Sequence, residues 1–182
     1  MNNHIEMGKH SYFSSEPNIQ WADNGSKLII GKFCSVAPGF TAYLGGNHYT
    51  NRISAYPFEH LLLHSSEGLT SESKGDIVIG NDVWIGDYVI LMSGCSIGDG
   101  CFIGAHSVVR GNIPSYSVAY GNPCKVNHVR FSAEDLVLLK DMKWWNWEEA
   151  LIREAYPFIV NKDVRGLYNF YLRRIRNVLA PE

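Results

Sequence analysis

Seven histidines are the side chains in this sequence best suited to moving protons near neutral pH. His48 stands out among them because it follows Gly46-Asn47 in an aromatic, glycine-containing stretch, outside any regular apolar pattern. A histidine on such a loop, held close to a hydroxyl group, can act as a general base. His48 is therefore the leading candidate for a catalytic residue.

The other histidines fit structural or undetermined roles. His60 and His64 flank three leucines, where they either shape a binding pocket or lie on the surface. We expect His106 to pack in a turn, and His4 and His10 to lie on the amino-terminal surface.

The four cysteines indicate neither a metal site nor a disulfide framework. Cys34, Cys95, Cys101 and Cys124 form no Cys-x-x-Cys pair, and no histidine stands at a spacing typical of zinc sites. Cys95 and Cys101 are predicted to be small buried residues. The sequence thus predicts reduced thiols and no bound metal.

The composition limits the architecture and excludes several functions. The chain has 182 residues, 46% of them apolar and 19% charged, which is typical of one folded domain with a small appendage. A net charge of −2 argues against a nucleic-acid-binding role. With no apolar run of roughly 18 residues and no signal peptide at its start, the sequence predicts a cytoplasmic protein without a membrane span.

A six-residue period between Ile79 and Pro114 accounts for many of the glycines. The first position of each hexad is aliphatic, the fifth is mostly small, and Gly follows the aliphatic residue in four of the six hexads. The aliphatic residues are Ile79, Ile85, Leu91, Ile97, Ile103 and Val109. This period predicts a parallel β-helix in which three hexads form one triangular coil, with the aliphatic residues inside and Gly giving backbone freedom at the corners.

The same pattern occurs earlier, from Ile30 to Thr41, but out of phase with Ile79 by one residue. An insertion, roughly residues 44–75, must therefore separate two sections of the β-helix, and it contains His48. Loops of this length inside a compact domain are usually functional or disordered, and its aromatic and histidine content favours function.

The pattern becomes helical after residue 130. Ser132 is predicted to cap a helix that buries Leu136, Leu139 and Met142, and two further helices are expected at about 148–155 and 163–178. Trp144–Trp147 should act as a packing anchor, and the arginines near residue 175 as a solvated helix face. We therefore predict a β-helix domain over 1–130 with its loop at 44–75, and a helical extension over 131–182.

Two motifs make the sequence resemble a known superfamily. The hexads contain Asp82-Val83-Trp84-Ile85-Gly86, and the repeat closes with Tyr120-Gly121-Asn122-Pro123-Cys124-Lys125-Val126. Both resemble the hexapeptide-repeat acyltransferases. This resemblance implies an all-β fold, a left-handed parallel β-helix with an extended loop and a helical tail, and acetyl-CoA as co-substrate.

Further motifs narrow the resemblance over residues 28–168. The sequence is similar to the xenobiotic acetyltransferases, which modify chloramphenicol or streptogramin A, and to their sugar-acetylating relatives. The motifs are Gly31-Lys32-Phe33-Cys34-Ser35-Val36, Gly46-Asn47-His48, Tyr56-Pro57-Phe58, Val129-Arg130-Phe131-Ser132 and Trp144-Trp145-Asn146-Trp147.

The resemblance also implies roles for individual residues. His48 would be the general base, and a backbone N–H of a coil turn would bind the oxyanion. The cofactor-binding residues would be Gly86, Gly104 and Ala105 along the pantetheine arm, and Arg110, Lys125 and Arg130 near the phosphates. A homotrimer is expected, with active sites between subunits and Trp84 either at the subunit interface or lining the acceptor site.

The sequence leaves the acceptor open. It can be chloramphenicol, a streptogramin or a sugar hydroxyl, and an amino-sugar acceptor would make the protein an N-acetyltransferase. A non-catalytic β-helix used as a scaffold is the alternative from another class.

Overall fold

Short parallel strands make up most of the regular structure in the computed structural model, which describes residues 4–22, 25–65 and 71–176. These residues form two compact units, one ending at His128 and the other starting at Val129. No helix in the described ranges is long and apolar enough to cross a bilayer.

The strands are two to five residues long. In chain order they are β1 (Ile5–Met7), β2 (Tyr12–Phe13), β3 (Asn18–Gln20), β4 (Leu28–Ile30), β5 (Ser35–Val36), β6 (Thr41–Tyr43), β7 (Asn47–His48), β8 (Ser71–Glu72), β9 (Ile77–Ile79), β10 (Trp84–Ile85), β11 (Ile90–Met92), β12 (Ser96–Ile97), β13 (Phe102–Ile103), β14 (Val108–Val109), β15 (Asn112–Ile113), β16 (Ser117–Tyr120) and β17 (Lys125–Val129).

The chain passes through three sheets in a repeating order. The first sheet is β1-β4-β9-β12-β15, the second β17-β16-β13-β10-β5-β2, and the third β14-β11-β6-β3. Within β1–β6 and within β9–β16, successive strands fall in the first, second and third sheets in turn, and the pairs formed among these strands are parallel. The prediction of a repeat of parallel strands followed by helices is confirmed.

The hexad register is confirmed by the pairing and by the core. Ile85 pairs with Val36 on one side and Ile103 on the other, and all three side chains are buried. Leu91 lies in the same way between Ala42 and Val109. Inward-facing residues of adjacent coils therefore stack on one another, which removes their apolar surface from water.

The glycines after each aliphatic residue serve a different purpose from the one expected. We predicted that they supply backbone freedom, but their φ values lie outside the left-handed region. They are small because the next coil passes close by: a Cβ at Gly98 would lie 2.5 Å from the Ser115 nitrogen, and one at Gly31 would overlap the Gly80 carbonyl. The left-handed backbone occurs at the fourth hexad position instead, as at Asp82 (φ 54°).

The amino-terminal segment forms a coil that the hexad analysis did not detect. β1, β2 and β3 pair in parallel with β4, β5 and β6. His10, expected on the surface, is exposed but stacks on the Phe33 ring at 4.6 Å. The parallel-strand repeat therefore begins before residue 28.

The insertion leaves the third sheet after β6 and returns at the start of β9, and it contains β7, β8 and a short helix, α1 (Phe58–Leu61). Its two ends are tied together, because the Ser73 hydroxyl donates to the Leu44 carbonyl and also lies 2.9 Å from the Ser26 hydroxyl. Across this insertion Ile30 pairs directly with Ile79. The predicted interruption between two sections of one repeat is confirmed.

The second unit is helical. It contains α2 (Ala133–Met142), α3 (Glu149–Ile159) and α4 (Val164–Tyr171), with a π-helical turn at Leu172–Arg176. Ser132 caps α2 as predicted, since its hydroxyl accepts a hydrogen bond from the Asp135 N–H at 3.1 Å. Residues 177 and 178, within the last predicted helix, lie outside the described residues.

Aromatic and charged contacts hold the helices of the second unit together. Trp145 is buried, and the Trp147 ring stacks on Tyr171 at 5.8 Å. The arginines expected on a solvated face form ion pairs: Arg174 with Glu154 at 2.8 Å and Arg176 with Asp141 at 3.3 Å. Because these pairs remain half-exposed, each contributes at most about 1 kcal/mol.

Candidate active site

His48 lies on a two-residue strand that the insertion forms with its own returning segment. β7 and β8 are antiparallel, with Asn47 opposite Glu72 and His48 opposite Ser71. Because successive side chains of a strand point to opposite faces, Asn47 and His48 point away from each other.

Asn47 anchors this strand to the β-helix. Its side-chain amide donates one hydrogen bond to the Glu72 carbonyl at 3.1 Å and another to the Ser93 hydroxyl at 2.8 Å. Ser93 follows β11 directly and is buried. The position of His48 is therefore coupled to a rigid coil rather than to the insertion alone.

The imidazole of His48 is exposed, and one of its nitrogens is held by the insertion. Nδ1 lies 3.1 Å from the carbonyl oxygen of Ala55. Since a carbonyl oxygen can only accept, Nδ1 carries the proton, and in the neutral ring Nε2 keeps its lone pair. A histidine held in this tautomer presents Nε2 as a base.

A pocket of about 380 Å³ opens on the Asn47 side of the strand. Its lining combines polar, cationic and apolar residues from the insertion and from two successive coils. These residues are Asn47, Lys74, Met92, Ser93, Gly94, Arg110 and Gly111. Arg110, which is predicted to contact the CoA phosphates, thus lines the same pocket as Asn47, the residue that precedes His48.

Gly86, Gly104 and Ala105, the residues predicted for the pantetheine arm, come together at one corner of the β-helix. The Gly86 N–H donates to the Ile103 carbonyl at 2.9 Å, and a Cβ at Gly86 would lie 2.8 Å from the Ala105 nitrogen. Gly86 is buried against the next coil, whereas Gly104 is partly exposed and Ala105 is exposed, so a ligand can reach this corner at Gly104 and Ala105. His106 packs beside it as predicted, stacked on Tyr88 at 5.2 Å.

The three predicted phosphate-binding cations have different local surroundings. Arg110 follows β14, whereas Ala105 precedes it, so the two lie at opposite ends of that strand. Lys125 starts β17 and is exposed. The Arg130 guanidinium lies over the Phe131 ring at 5.0 Å.

Trp84 lies on the outer face of the second sheet. Its ring is 5.8 Å from that of Phe102, and both side chains are partly exposed. With Phe33 and Ser35 they line a shallow pocket of about 390 Å³. This apolar face leaves both predicted roles of Trp84 open.

The cysteines have the chemistry of core residues. All four are free thiols, and burial raises the pKa of Cys95 to about 12. Burial also raises the pKa of the Cys34 and Cys124 thiols. Neutral thiols are poor nucleophiles, so Cys34, Cys95 and Cys124 are not candidates for a reactive group. In the described ranges, no three His, Cys, Asp or Glu residues are grouped to hold a metal.

The sequence does not identify three residues around His48 and Asn47. These are Ala55, whose carbonyl contacts His48, and Lys74 and Ser93, which line the pocket with Asn47. Ala55 contributes only a backbone carbonyl, for which no sequence signal exists. Ser93 had a weak signal, because its hexad, Leu91–Ser96, lacks the glycine after the aliphatic residue.

Comparison with known proteins identifies close relatives over almost the whole chain. A family profile, "Bacterial transferase hexapeptide (six repeats)", matches residues 76–111. A chloramphenicol acetyltransferase of Klebsiella aerogenes is 34% identical over 94% of this chain and 89% of its own length. A virginiamycin A acetyltransferase of Staphylococcus aureus is 39% identical over 91% of this chain and 81% of its own.

A solved structure of another acetyltransferase is also similar to this chain. A galactoside acetyltransferase in complex with coenzyme A superposes with a TM-score of 0.56 and 26% identity, over 81% of this chain and 62% of that one. The relatives exclude the scaffold alternative in favour of an acetyl-CoA-dependent enzyme.

Proposed function

Because this chain belongs to the hexapeptide-repeat acetyltransferases, we propose that it transfers the acetyl group of acetyl-CoA to a hydroxyl group of a small molecule, with His48 as the general base. The observation that carries the proposal is the hydrogen bond from His48 Nδ1 to the Ala55 carbonyl, which leaves Nε2 free to accept a proton.

The reaction needs two proton transfers, one from the acceptor hydroxyl to His48 and one from His48 to the CoA thiolate. His48 Nε2 takes the proton of the acceptor hydroxyl as its oxygen attacks the thioester carbonyl carbon. The resulting tetrahedral intermediate breaks its carbon–sulfur bond, and the CoA thiolate takes the proton back from the imidazolium. The products are the acetyl ester and free CoA, and His48 is neutral again.

For the donor, we propose that the pantetheine arm lies along the corner formed by Gly86, Gly104 and Ala105. Its amides would exchange hydrogen bonds with the coil backbone that is accessible at Gly104 and Ala105, while Gly86 allows the two coils to pack closely. Lys125 and Arg130 are the cations proposed for the CoA phosphates.

A left-handed β-helix trimer with active sites between subunits is the proposed assembly. The outer face carrying Trp84 and Phe102 is apolar and uncovered in the single chain, which supports an interface there. Light scattering on the purified protein should give about three times the 20.5 kDa chain mass. A monomer at micromolar concentration would contradict this assembly.

The acceptors to test are those in the names of the relatives, which are chloramphenicol, virginiamycin A and galactosides. We expect CoA thiol release from acetyl-CoA to rise at least about tenfold above its hydrolysis rate with one member of a panel of chloramphenicol, virginiamycin M and galactosides. Mass spectrometry should then find the acetyl group on a hydroxyl oxygen. Acetylation confined to amines across such a panel would instead identify an N-acetyltransferase.

A further inference from the structure

The strand that carries His48 is too short to hold its own position. β7 and β8 have two residues each and form a two-stranded ribbon separate from the three sheets of the repeat. Two strands alone are marginally stable in water even when they are longer. The hydrogen bond from the imidazole to Ala55 stays within the insertion, so it does not fix the ribbon to the coils. The place of the base relative to the coils therefore depends on contacts that the ribbon makes outside itself.

One such contact is the Ser93 hydroxyl, which binds both sides of the ribbon. Its oxygen accepts a hydrogen bond from the Asn47 amide at 2.8 Å and another from the Lys74 N–H at 3.3 Å. Asn47 belongs to β7, and Lys74 lies two residues after the end of β8. Ser93 is 5% exposed and directly follows β11, whose Leu91 is buried in the core. A single buried hydroxyl thus joins both sides of the ribbon to one coil.

The second contact is the ring of Trp21, which lies against the residue before Asn47. Trp21 directly follows β3, the strand at the edge of the third sheet. A Cβ at Gly46 would lie 2.8 Å from the nearest atom of the Trp21 ring, so the indole contacts the Gly46 backbone. Gly46 also has a φ of +77°, which residues with a side chain rarely adopt. The indole and this backbone conformation together set the direction in which the chain enters β7.

The Ser93 contact leaves the imidazole free to react. Successive side chains of a strand point to opposite faces, so Asn47 faces Ser93 while His48 faces away from it. The backbone of β7 is thereby held without a side chain covering the ring. Such an arrangement suits a general base, because a displacement of about 1 Å from the reactive position can lower a rate by roughly 10²-fold.

We propose that Ser93 and Trp21 are positioning residues for the general base. They act through Asn47 and Gly46, the two residues that precede His48, and not by contact with the reacting atoms. This inference rests on the proposed acetyl transfer at His48. Loss of either contact should displace the imidazole and lower kcat. The KM for acetyl-CoA should stay unchanged, because neither residue is among those proposed to bind CoA.

The first kinetic test removes the Ser93 hydroxyl. We expect Ser93→Ala to lower kcat for acetyl transfer about tenfold or more, with the KM for acetyl-CoA unchanged. Ser96→Ala is the matched control, because the Ser96 hydroxyl also bonds to a side chain, that of Asn112 at 2.9 Å, and it should keep the wild-type kcat. In an Asn47→Ala background, Ser93→Ala should lower kcat little further, since its partner on β7 is already lost.

The second kinetic test separates positioning by Trp21 from contact with the acceptor. Trp21→Ala should lower kcat about tenfold or more, and Trp21→Phe, which keeps a flat ring against Gly46, should recover most of it. The KM for the acceptor should stay near its wild-type value in both variants. A raised acceptor KM with unchanged kcat would place Trp21 in the acceptor site and overturn its positioning role. Because Trp21 is 56% exposed, these variants test the inference even if Ser93→Ala fails to fold.

An NMR measurement keeps this inference separate from the proposed function. Protein with ¹³C-labelled histidine has ring signals from seven histidines, and the signal lost in His48→Ala is that of His48. Ser93→Ala and Trp21→Ala should shift this signal, and Ser96→Ala should leave it in place. An unmoved His48 signal, or equal losses of kcat in Ser93→Ala and Ser96→Ala, would overturn the inference. If His48→Ala keeps full turnover, the proposed base is wrong, whereas the signal still tests the two contacts.

Discussion

Replacing His48 by alanine should lower the rate of acetyl transfer by roughly 10²–10⁴-fold, the usual contribution of a positioned general base. The imidazole is exposed and its hydrogen bond to the Ala55 carbonyl lies within the insertion, so the substitution should leave the core of the strand repeat intact. The measurement is CoA release from acetyl-CoA at saturating acceptor, together with the thermal midpoint and the CoA affinity. Both of the latter should remain at the wild-type values.

Two further variants show whether the loss is specific. His4→Ala changes a histidine at the amino-terminal end and should keep full turnover. His48→Gln keeps an amide able to donate to the Ala55 carbonyl but supplies no base, so it should be as inactive as His48→Ala. A loss below about tenfold in both His48 variants would remove His48 from the role of base and would favour an amine acceptor, which needs less help in losing a proton.

Replacing Gly31 by alanine should destabilise the β-helix by about 3 kcal/mol or more. A Cβ at this position would overlap the backbone carbonyl of Gly80 in the next coil, and a backbone atom cannot move aside as a side chain can. The coils would have to separate where Gly31 N donates to the Ile79 carbonyl at 2.8 Å. Thermal unfolding should show the midpoint lowered by roughly 6–12 °C.

Gly25→Ala is the matched control for this effect. Gly25 has a φ of +82°, but a Cβ there meets nothing within 4 Å. Only the backbone strain of a left-handed alanine remains, about 1 kcal/mol. Equal losses at Gly25 and Gly31 would show that the coils adjust their spacing freely, contrary to the close packing between them.

Most of the fold is predictable from periodicity, because the inward positions of successive coils carry an aliphatic residue every six residues. Ile79, Ile85 and Leu91 were assigned to the core on that basis and are buried. The six-residue pattern does not predict the first coil. Ile30 lies 23 positions after its partner Met7, and this spacing is not a multiple of six. A regular spacing can be recognised in a sequence, whereas a coil of irregular length is recognised only from the strand pairs in the structure.

The site was predictable only in part. The motif around His48 makes it a candidate, but the sequence does not predict the tautomer of its imidazole. The tautomer depends on where the carbonyl of Ala55 lies. Lys74, Ser93 and Arg110 are distant in sequence and meet because the insertion returns beside two stacked coils. The sequence therefore predicts His48 as the candidate base but does not predict the pocket that Asn47 lines.

The tied ends of the insertion have an evolutionary consequence. The Ser73 hydroxyl links the exit of the segment to Leu44 at its entry, and Ile30 still pairs with Ile79 as if nothing lay between them. The length and contents of this segment can thus change while the coils on either side of it keep their register. With the proposed base in the insertion and the proposed donor corner on the coils, a change of acceptor can arise in the insertion alone and leave the donor corner as it is.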